Sequence, residues 1–127
     1  MHQLTDLPDR LDELAEFGPR NDRMRTEGTR NLLAASRAAG AKHLLVQSIA
    51  WRPAGRGGAV DELERQVLAD HRVVVRYGQL YGPGTFYPDG PPPPPRIHVD
   101  AAAKATPPLI TAPSGIVLVT EEAAGIN

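Results

Sequence analysis

Apolar and small residues recur at helical spacing in two long segments of the chain. Over 22–39 they return four and seven or eight positions apart, which predicts an amphipathic helix capped by Asn21 or Asp22. Gly40 then stands where a left-handed residue commonly ends a helix. A second helix is predicted over 59–70. Its apolar stripe consists of Val60, Leu63, Val67 and Leu68. Its water-facing side consists of Asp61, Glu62, Glu64 and Arg65.

Three short apolar runs predict buried strands over 43–48, 73–76 and 115–119. The first two lack the polar alternation of a half-exposed strand, which is typical of a parallel sheet that helices cover on both sides. The order of helix, strand, helix and strand, with short connections, therefore predicts an α/β fold built on a parallel sheet.

The remaining segments are rich in turn residues. A short helical turn is predicted near 11–17, ended by Gly18-Pro19. Over 82–96, three glycines and a run of five prolines exclude a helix or a central strand. The proline run is either a polyproline II ligand for a partner or a rigid surface spacer. Asp100 is expected to cap a short alanine-rich helix that ends at Lys104.

The charge balance narrows the class of protein. The 127 residues hold 14 Lys and Arg against 15 Asp and Glu, and this near-neutral balance argues against a nucleic-acid or membrane-surface module, which usually carries a basic stripe. Cysteine is absent, which excludes a thiolate metal site or a cysteine nucleophile. The first residues do not resemble a secretory signal, and no apolar run is long enough to span a membrane. A cytoplasmic protein is expected.

Candidate chemistry lies where the predicted strands end, because ligands of open parallel sheets bind beyond the carboxyl ends of the strands. Ser48 ends the first strand, where its hydroxyl could donate to a substrate oxygen or simply bond to the backbone. His98 and Asp100 suggest a metal pair, but no third ligand is suitably spaced, so no metal is predicted. The acidic residues of the second helix are interpreted as a solvated face.

Several stretches, in this order, resemble the extended short-chain dehydrogenases of the NAD-dependent epimerase/dehydratase family. The helix Glu27 to Ala35, with Ala38-Ala39-Gly40 after it, is similar to that family's "GT.N.L.AA..AG" helix. The other matching stretches are 2–5, the strand 43–50 that delivers an active-site Ser or Thr, the "R.…YGPG" segment 74–84, the "IHVDDAA" segment 96–102 and the closing strand 115–119.

The resemblance implies a fold, a cofactor and a site. The fold would be an incomplete Rossmann-like parallel sheet with flanking helices, residues 1–127 forming one truncated NAD(P)-binding domain. NAD or NADP would be the cofactor, and a sugar nucleotide or a related carbonyl or hydroxyl compound the substrate. A homodimer would form through the helices 22–39 and 59–70. The implied site residues are Ser48 for catalysis, Gln3, Leu4, Thr5, Tyr77 and Gly78 for the cofactor, and Tyr81 and His98 for the substrate.

Two motifs of that family are missing from the sequence. No GxxGxxG fingerprint is present to hold a pyrophosphate on backbone N–H groups, and no YxxxK is present to transfer a proton. Arg25 stands where the family usually has Asn, three residues before Gly-Thr. Cofactor binding and turnover by this chain alone are therefore expected to be impaired. The alternative is a non-catalytic remnant or interaction module that keeps the C-terminal half of the fold.

Overall fold

A computed structural model of the chain describes residues 1–52 and 57–124. Its centre is a sheet of three parallel strands in the order β1, β2, β5. A second ladder pairs two shorter parallel strands, β3 and β4. The strands are β1 (Leu45–Ile49), β2 (Val73–Tyr77), β3 (Gln79–Tyr81), β4 (Arg96–His98) and β5 (Gly115–Val119). The fold class predicted from the sequence, α/β with a parallel sheet, is confirmed.

Helices connect and cover these strands. The α-helices are α1 (Gly18–Arg23), α2 (Thr29–Ala38), α3 (Gly57–Ala69), α4 (Val99–Ala105) and α5 (Glu121–Ala124). A π-helical segment, Met24–Gly28, joins α1 to α2, and 3-10 helices span Leu11–Phe17 and Pro107–Thr111. The composition of 52–58, rich in Gly and Arg, also predicts a loop; positions 53–56 lie outside the described residues, and Gly57 and Gly58 instead begin α3. Within the described part of the chain, no helix is long and apolar enough to cross a membrane.

The first long helical segment begins earlier than its hydrophobic pattern predicts. The predicted turn near 11–17 is a 3-10 helix with Gly18 as its C-cap, and Gly18-Pro19 also starts α1, since a proline in the first turn of a helix costs no hydrogen bond. Asn21 is therefore no cap: it is buried inside α1, where its Oδ1 accepts a bond from the backbone N–H of Asp6 at 3.0 Å. Gly40 has a φ of 68°, which confirms the left-handed residue expected after the helix.

The start of α4 also differs from its expected form. His98 occupies the cap position with an extended backbone, and its Nδ1 accepts the N–H of Asp100 at 3.1 Å. Asp100 thus lies one residue inside the helix instead of capping it. Short polar residues favour caps because they accept such a bond, and here a histidine ring supplies the acceptor.

Alternation along the strands separates the core into two layers. Helices α2 and α3 pack on one side of the sheet, where Leu33, Leu63 and Val67 meet Val46 and Val74. The other side is a larger cluster that includes β4 and α4. Its buried members are Leu45, Val73, Val75, Tyr77, Ile97, Ala102 and Val119. The homodimer expected through α2 and α3 stays a prediction.

The N-terminal residues add a rung to the edge of the sheet. The N–H of His2 donates to the carbonyl of Leu45 at 2.7 Å, and the N–H of Gln47 donates to the carbonyl of His2 at 2.9 Å. The His2 ring is buried, with its Nε2 3.1 Å from the hydroxyl of Thr29. Burial, and then the positive N-terminus, lower the pKa of His2 below its ordinary 6.5.

We expect the free energy of unfolding to fall as the pH drops below about 6.5. Below that pH, His2 takes up a proton in the unfolded chain, whereas in the folded chain its lowered pKa keeps it neutral. This contribution is fully present above pH 6.5 and is lost as the pH falls toward the lowered folded pKa. Urea titrations at a series of pH values measure it. His2→Gln should flatten the profile between pH 7 and 5, and His43→Gln, at an exposed position, should not. Equal profiles for His2→Gln and the parent chain would contradict this account.

Candidate functional site

A cavity of about 660 Å³ opens at the carboxyl ends of β1 and β2. Since the strands are parallel, with Ile49 opposite Tyr77, the segments that leave them meet at one edge of the sheet. The first 3-10 helix and α1 supply a second wall, and the loop after Gly84 a third. The lining residues are Thr5, Leu7, Pro8, Asp9, Leu11, Leu14, Gly18, Asn21, Asp22, Arg25, Gln47, Ile49, Trp51, Tyr77, Gly78, Gln79, Leu80, Gly84, Thr85, Phe86, Tyr87 and Val99.

Three of the five residues implied for cofactor binding, Thr5, Tyr77 and Gly78, line this cavity. The other two, Gln3 and Leu4, are exposed beside it. The Gln3 amide donates to Gln47 Oε1 at 3.0 Å, and Leu4 is anchored by its N–H, which donates to the His2 ring. The structure therefore brings strand end and N-terminal segment together as the resemblance implies. A contact of these residues with a cofactor stays a prediction.

Ser48 does not lie on the wall of the cavity. Its neighbours in β1, Gln47 and Ile49, line it, but successive side chains of a strand point to opposite faces. The expectation that the Ser48 hydroxyl lies at the ligand-binding edge is wrong for this reason: Ser48 points to the side of the sheet that carries α3. There it is 4% exposed, and its hydroxyl donates to Glu64 Oε2 at 2.6 Å. The catalytic role implied for Ser48 stays a prediction.

Glu64 is the centre of a buried polar cluster between the sheet and α3. Arg76 of β2, which stands opposite Ser48 in the strand register, donates through Nε to Glu64 Oε2 at 2.9 Å. Its Nη2 donates to Oε1 at 2.6 Å, so the pair is bidentate. Arg52 lies farther away, with a nitrogen 3.9 Å from Oε1. Burial raises the pKa of Glu64, but the bonds from Arg76 and Ser48 outweigh it and hold the pKa below its ordinary value.

The prediction that Glu64 faces water is wrong, since only 5% of the residue is exposed. Its position four residues after Val60 and three before Val67 places it within the apolar stripe of α3. The partner was also visible in the sequence, as Arg76 is the charged residue in an otherwise apolar strand. On the other side of the same helix, Asp61 and Arg65 are exposed as predicted; Asp61 pairs with Arg52, and Glu62 pairs with Arg65.

Tyr81 and His98, the residues implied for substrate binding, lie side by side but not on the wall of the cavity. They are paired across β3 and β4, with ring centroids 5.2 Å apart in an edge-to-face arrangement. The Tyr81 hydroxyl donates to Glu121, and this bond raises the pKa of Tyr81. Substrate contact by the pair stays a prediction. Within residues 1–52 and 57–124, no group of three His, Asp or Glu side chains is placed to hold a metal ion.

Sequence reasoning missed Arg25, which lines the cavity from the π-helical segment. Its only sequence signal was a departure, because it replaces the Asn of the family's motif. Short π-helical segments within α-helices are frequent at functional sites. The chain's single tryptophan, Trp51, lines the same cavity, so its fluorescence reports on anything that binds there.

Comparison with known proteins shows that the chain is similar in sequence to a reductase. The chain is 40% identical to a 3-diazoavenalumate denitrifying reductase from a Streptomyces species, in an alignment of 112 positions. The alignment covers 68% of this chain and 37% of that reductase. The chain thus spans well under half the length of the relative that it matches. No family model matches the chain.

Proposed function

We propose that this chain forms the substrate side of the active cleft of a nicotinamide-dependent reductase related to the extended short-chain dehydrogenases. The observation that supports it most is the cavity at the carboxyl ends of β1 and β2, which is where such sheets bind ligands. The similarity to a reductase favours reduction of a small molecule over epimerisation or dehydration of a sugar nucleotide.

The residues of the cavity suit one end of a nicotinamide dinucleotide and not the other. The Thr5 hydroxyl and the side-chain amide of Gln47 supply donors and acceptors for a carboxamide, whereas the Gln79 amide is already bonded to Pro93 and Tyr87. A pyrophosphate, in contrast, requires several backbone N–H groups in a glycine-rich turn, and the sequence lacks the motif. Arg25 is the only cation among the described lining residues.

When bound, the nicotinamide ring would supply the hydride. The chain's own part would be to orient ligands and exclude water through apolar walls such as Ile49, Leu80 and Phe86. The proposal gives Tyr77 no proton-transfer role, since its hydroxyl is bonded to that of Thr106 at 2.5 Å and burial raises its pKa. The sequence has no YxxxK motif, and the proposal assigns the proton transfer to no residue of this chain.

Titration of Trp51 fluorescence with nicotinamide mononucleotide and with NAD and NADP, oxidised and reduced, tests the proposal. We expect weak saturable binding, with a Kd of about 1 mM. The mononucleotide should bind as well as the dinucleotides, because the adenosine half finds no cradle. Thr5→Val should weaken binding several-fold by removing a lining hydroxyl, and Thr111→Val, at an exposed site outside the cavity, should not.

Two outcomes would overturn the proposal. If none of these compounds changes Trp51 fluorescence, the alternative of a non-catalytic interaction module is favoured. If a dinucleotide binds more than about tenfold tighter than the mononucleotide, then the chain holds the pyrophosphate after all, and the assignment to the substrate side alone is wrong.

A further inference from the structure

Arg25 differs from Arg20 and Arg23 of its helical segment in having no hydrogen-bonded acid as a partner, although the charge of Asp22 acts on it. Arg20 pairs with Asp6 at 2.9 Å, and Arg23 pairs with Glu27 at 2.8 Å. For Arg25, no hydrogen bond or ion pair joins the guanidinium to another described residue within the distances that define one. Burial lowers the pKa of Arg25, and the charge of Asp22 offsets this only in part. A desolvated cation without a hydrogen-bonded partner is costly, and a bound anion would remove that cost.

The other charged residues of the cavity limit how much negative charge a ligand can carry. Asp9 is exposed. Asp22 lies one helical turn before Arg25, and its negative charge acts on the guanidinium. Because Asp22 already offsets part of the Arg25 charge, this guanidinium can balance at most one negative charge of a ligand. A phosphate dianion would leave its second charge facing Asp9 and Asp22, so a monoanion fits better.

The rest of the wall is apolar and partly aromatic. Trp51 and Phe86 offer flat faces for stacking, and Ile49, Leu14 and Leu80 add aliphatic surface. Planar rings pack on such faces in offset or edge-on arrangements, which adds to the burial of their apolar area. A volume of about 660 Å³ lies within the usual range for small-molecule sites.

We propose that this cavity binds a small carboxylate with an apolar aromatic body, and that Arg25 pairs with the carboxylate while Trp51 and Phe86 contact the ring. A guanidinium presents two parallel N–H donors that match the two oxygens of a carboxylate. The inference names the substrate class of the proposed reductase and in that respect rests on the proposed function.

The experiment uses 3-phenylpropanoate as the probe and 3-phenylpropanamide as its neutral match, read by Trp51 fluorescence and calorimetry on the full chain. We expect the carboxylate to bind at least tenfold tighter than the amide. Arg25→Met should abolish this preference, and Arg25→Lys should keep part of it because the charge remains and the fork is lost. Arg23→Met removes the same charge from an exposed site of the same helical segment and should leave the preference intact.

Several results would overturn the inference. They are equal affinity for carboxylate and amide, an unchanged preference in Arg25→Met, or inorganic phosphate competing as well as the carboxylate does. If Arg25→Met does not fold, the inference is tested by the affinity of Arg25→Lys for the carboxylate and by the parent chain's preference for the carboxylate over the amide. If the probe does not bind while nicotinamide mononucleotide does, then the substrate class is wrong and the proposed function stands. If only the carboxylate binds, then the site is correct and the nicotinamide-dependent function is wrong.

Discussion

Replacing Glu64 by Ala is expected to lower the free energy of unfolding by about 2–4 kcal/mol, measured from urea denaturation. The change leaves the guanidinium of Arg76 and the hydroxyl of Ser48 without their acceptor between the sheet and α3. Removing one member of a buried ion pair is costly because the other charge stays desolvated. The value falls below that of a fully buried pair, since the Arg76 side chain is 29% exposed.

Two comparisons isolate the ion pair as the cause. Glu62→Ala removes a carboxylate from the exposed side of the same helix, where it pairs with Arg65, and should leave the denaturation midpoint unchanged. The double variant Glu64→Met with Arg76→Met should recover most of the loss, because no unpaired charge remains. A double variant as unstable as Glu64→Ala would mean that lost packing or the unbonded Ser48 hydroxyl, and not the lone charge, explains the effect.

Gly78→Ala is expected to be the most damaging change at the cavity, lowering the free energy of unfolding by about 1–3 kcal/mol. A Cβ at this position would lie 2.7 Å from the backbone N and C of Arg96, and backbone atoms cannot rotate away as a side chain can. Gly78 also donates its N–H to the carbonyl of Val119 at 3.1 Å, so it is held between β5 and β4. Relieving the clash must separate one pair of strands.

Gly78→Ala should also weaken the binding of every ligand in the cavity, because Gly78 lines the cavity and β3 begins at the next residue. Gly90→Ala is the matched control, since a Cβ there meets nothing within 4 Å and its φ is not positive. Thermal unfolding followed by circular dichroism, together with a Trp51 titration, measures both effects. A Gly78→Ala chain with the parent's stability and ligand affinity would show that the β3–β4 ladder yields without cost.

The order of strands and helices could be predicted because burial imposes a period on the sequence. Runs such as 73–76 are buried on both faces and contain no alternation, so they indicated a central strand of a parallel sheet. Boundaries were less predictable. Asn21, predicted as a cap, instead accepts a bond from the backbone N–H of Asp6, which lies 15 residues earlier in the sequence.

The site was predictable as an edge of the sheet and not as a set of side chains. Parallel pairing forces the ends of β1 and β2 together, so the location of the cavity follows from topology. Which residue faces it follows from register, and an offset of one position sends Ser48 to the opposite side. The sequence analysis missed the positions of Glu64 and Arg25 for a different reason. A charged residue is predicted to face solvent unless its ion-pair partner or its burial is already known.

The strand order has a consequence for how the chain reaches its native state. Pairing of β1 with β2 closes a loop that contains α3. Pairing of β5 with β2 closes a longer loop, residues 78–114, which contains the proline run. Closing longer loops costs more chain entropy and delays non-local pairing. The Val73 to Gly115 register therefore belongs to the late side of the folding barrier. Mutations in β5 should act mainly on the rate of unfolding, whereas those in β1 and β2 also slow folding.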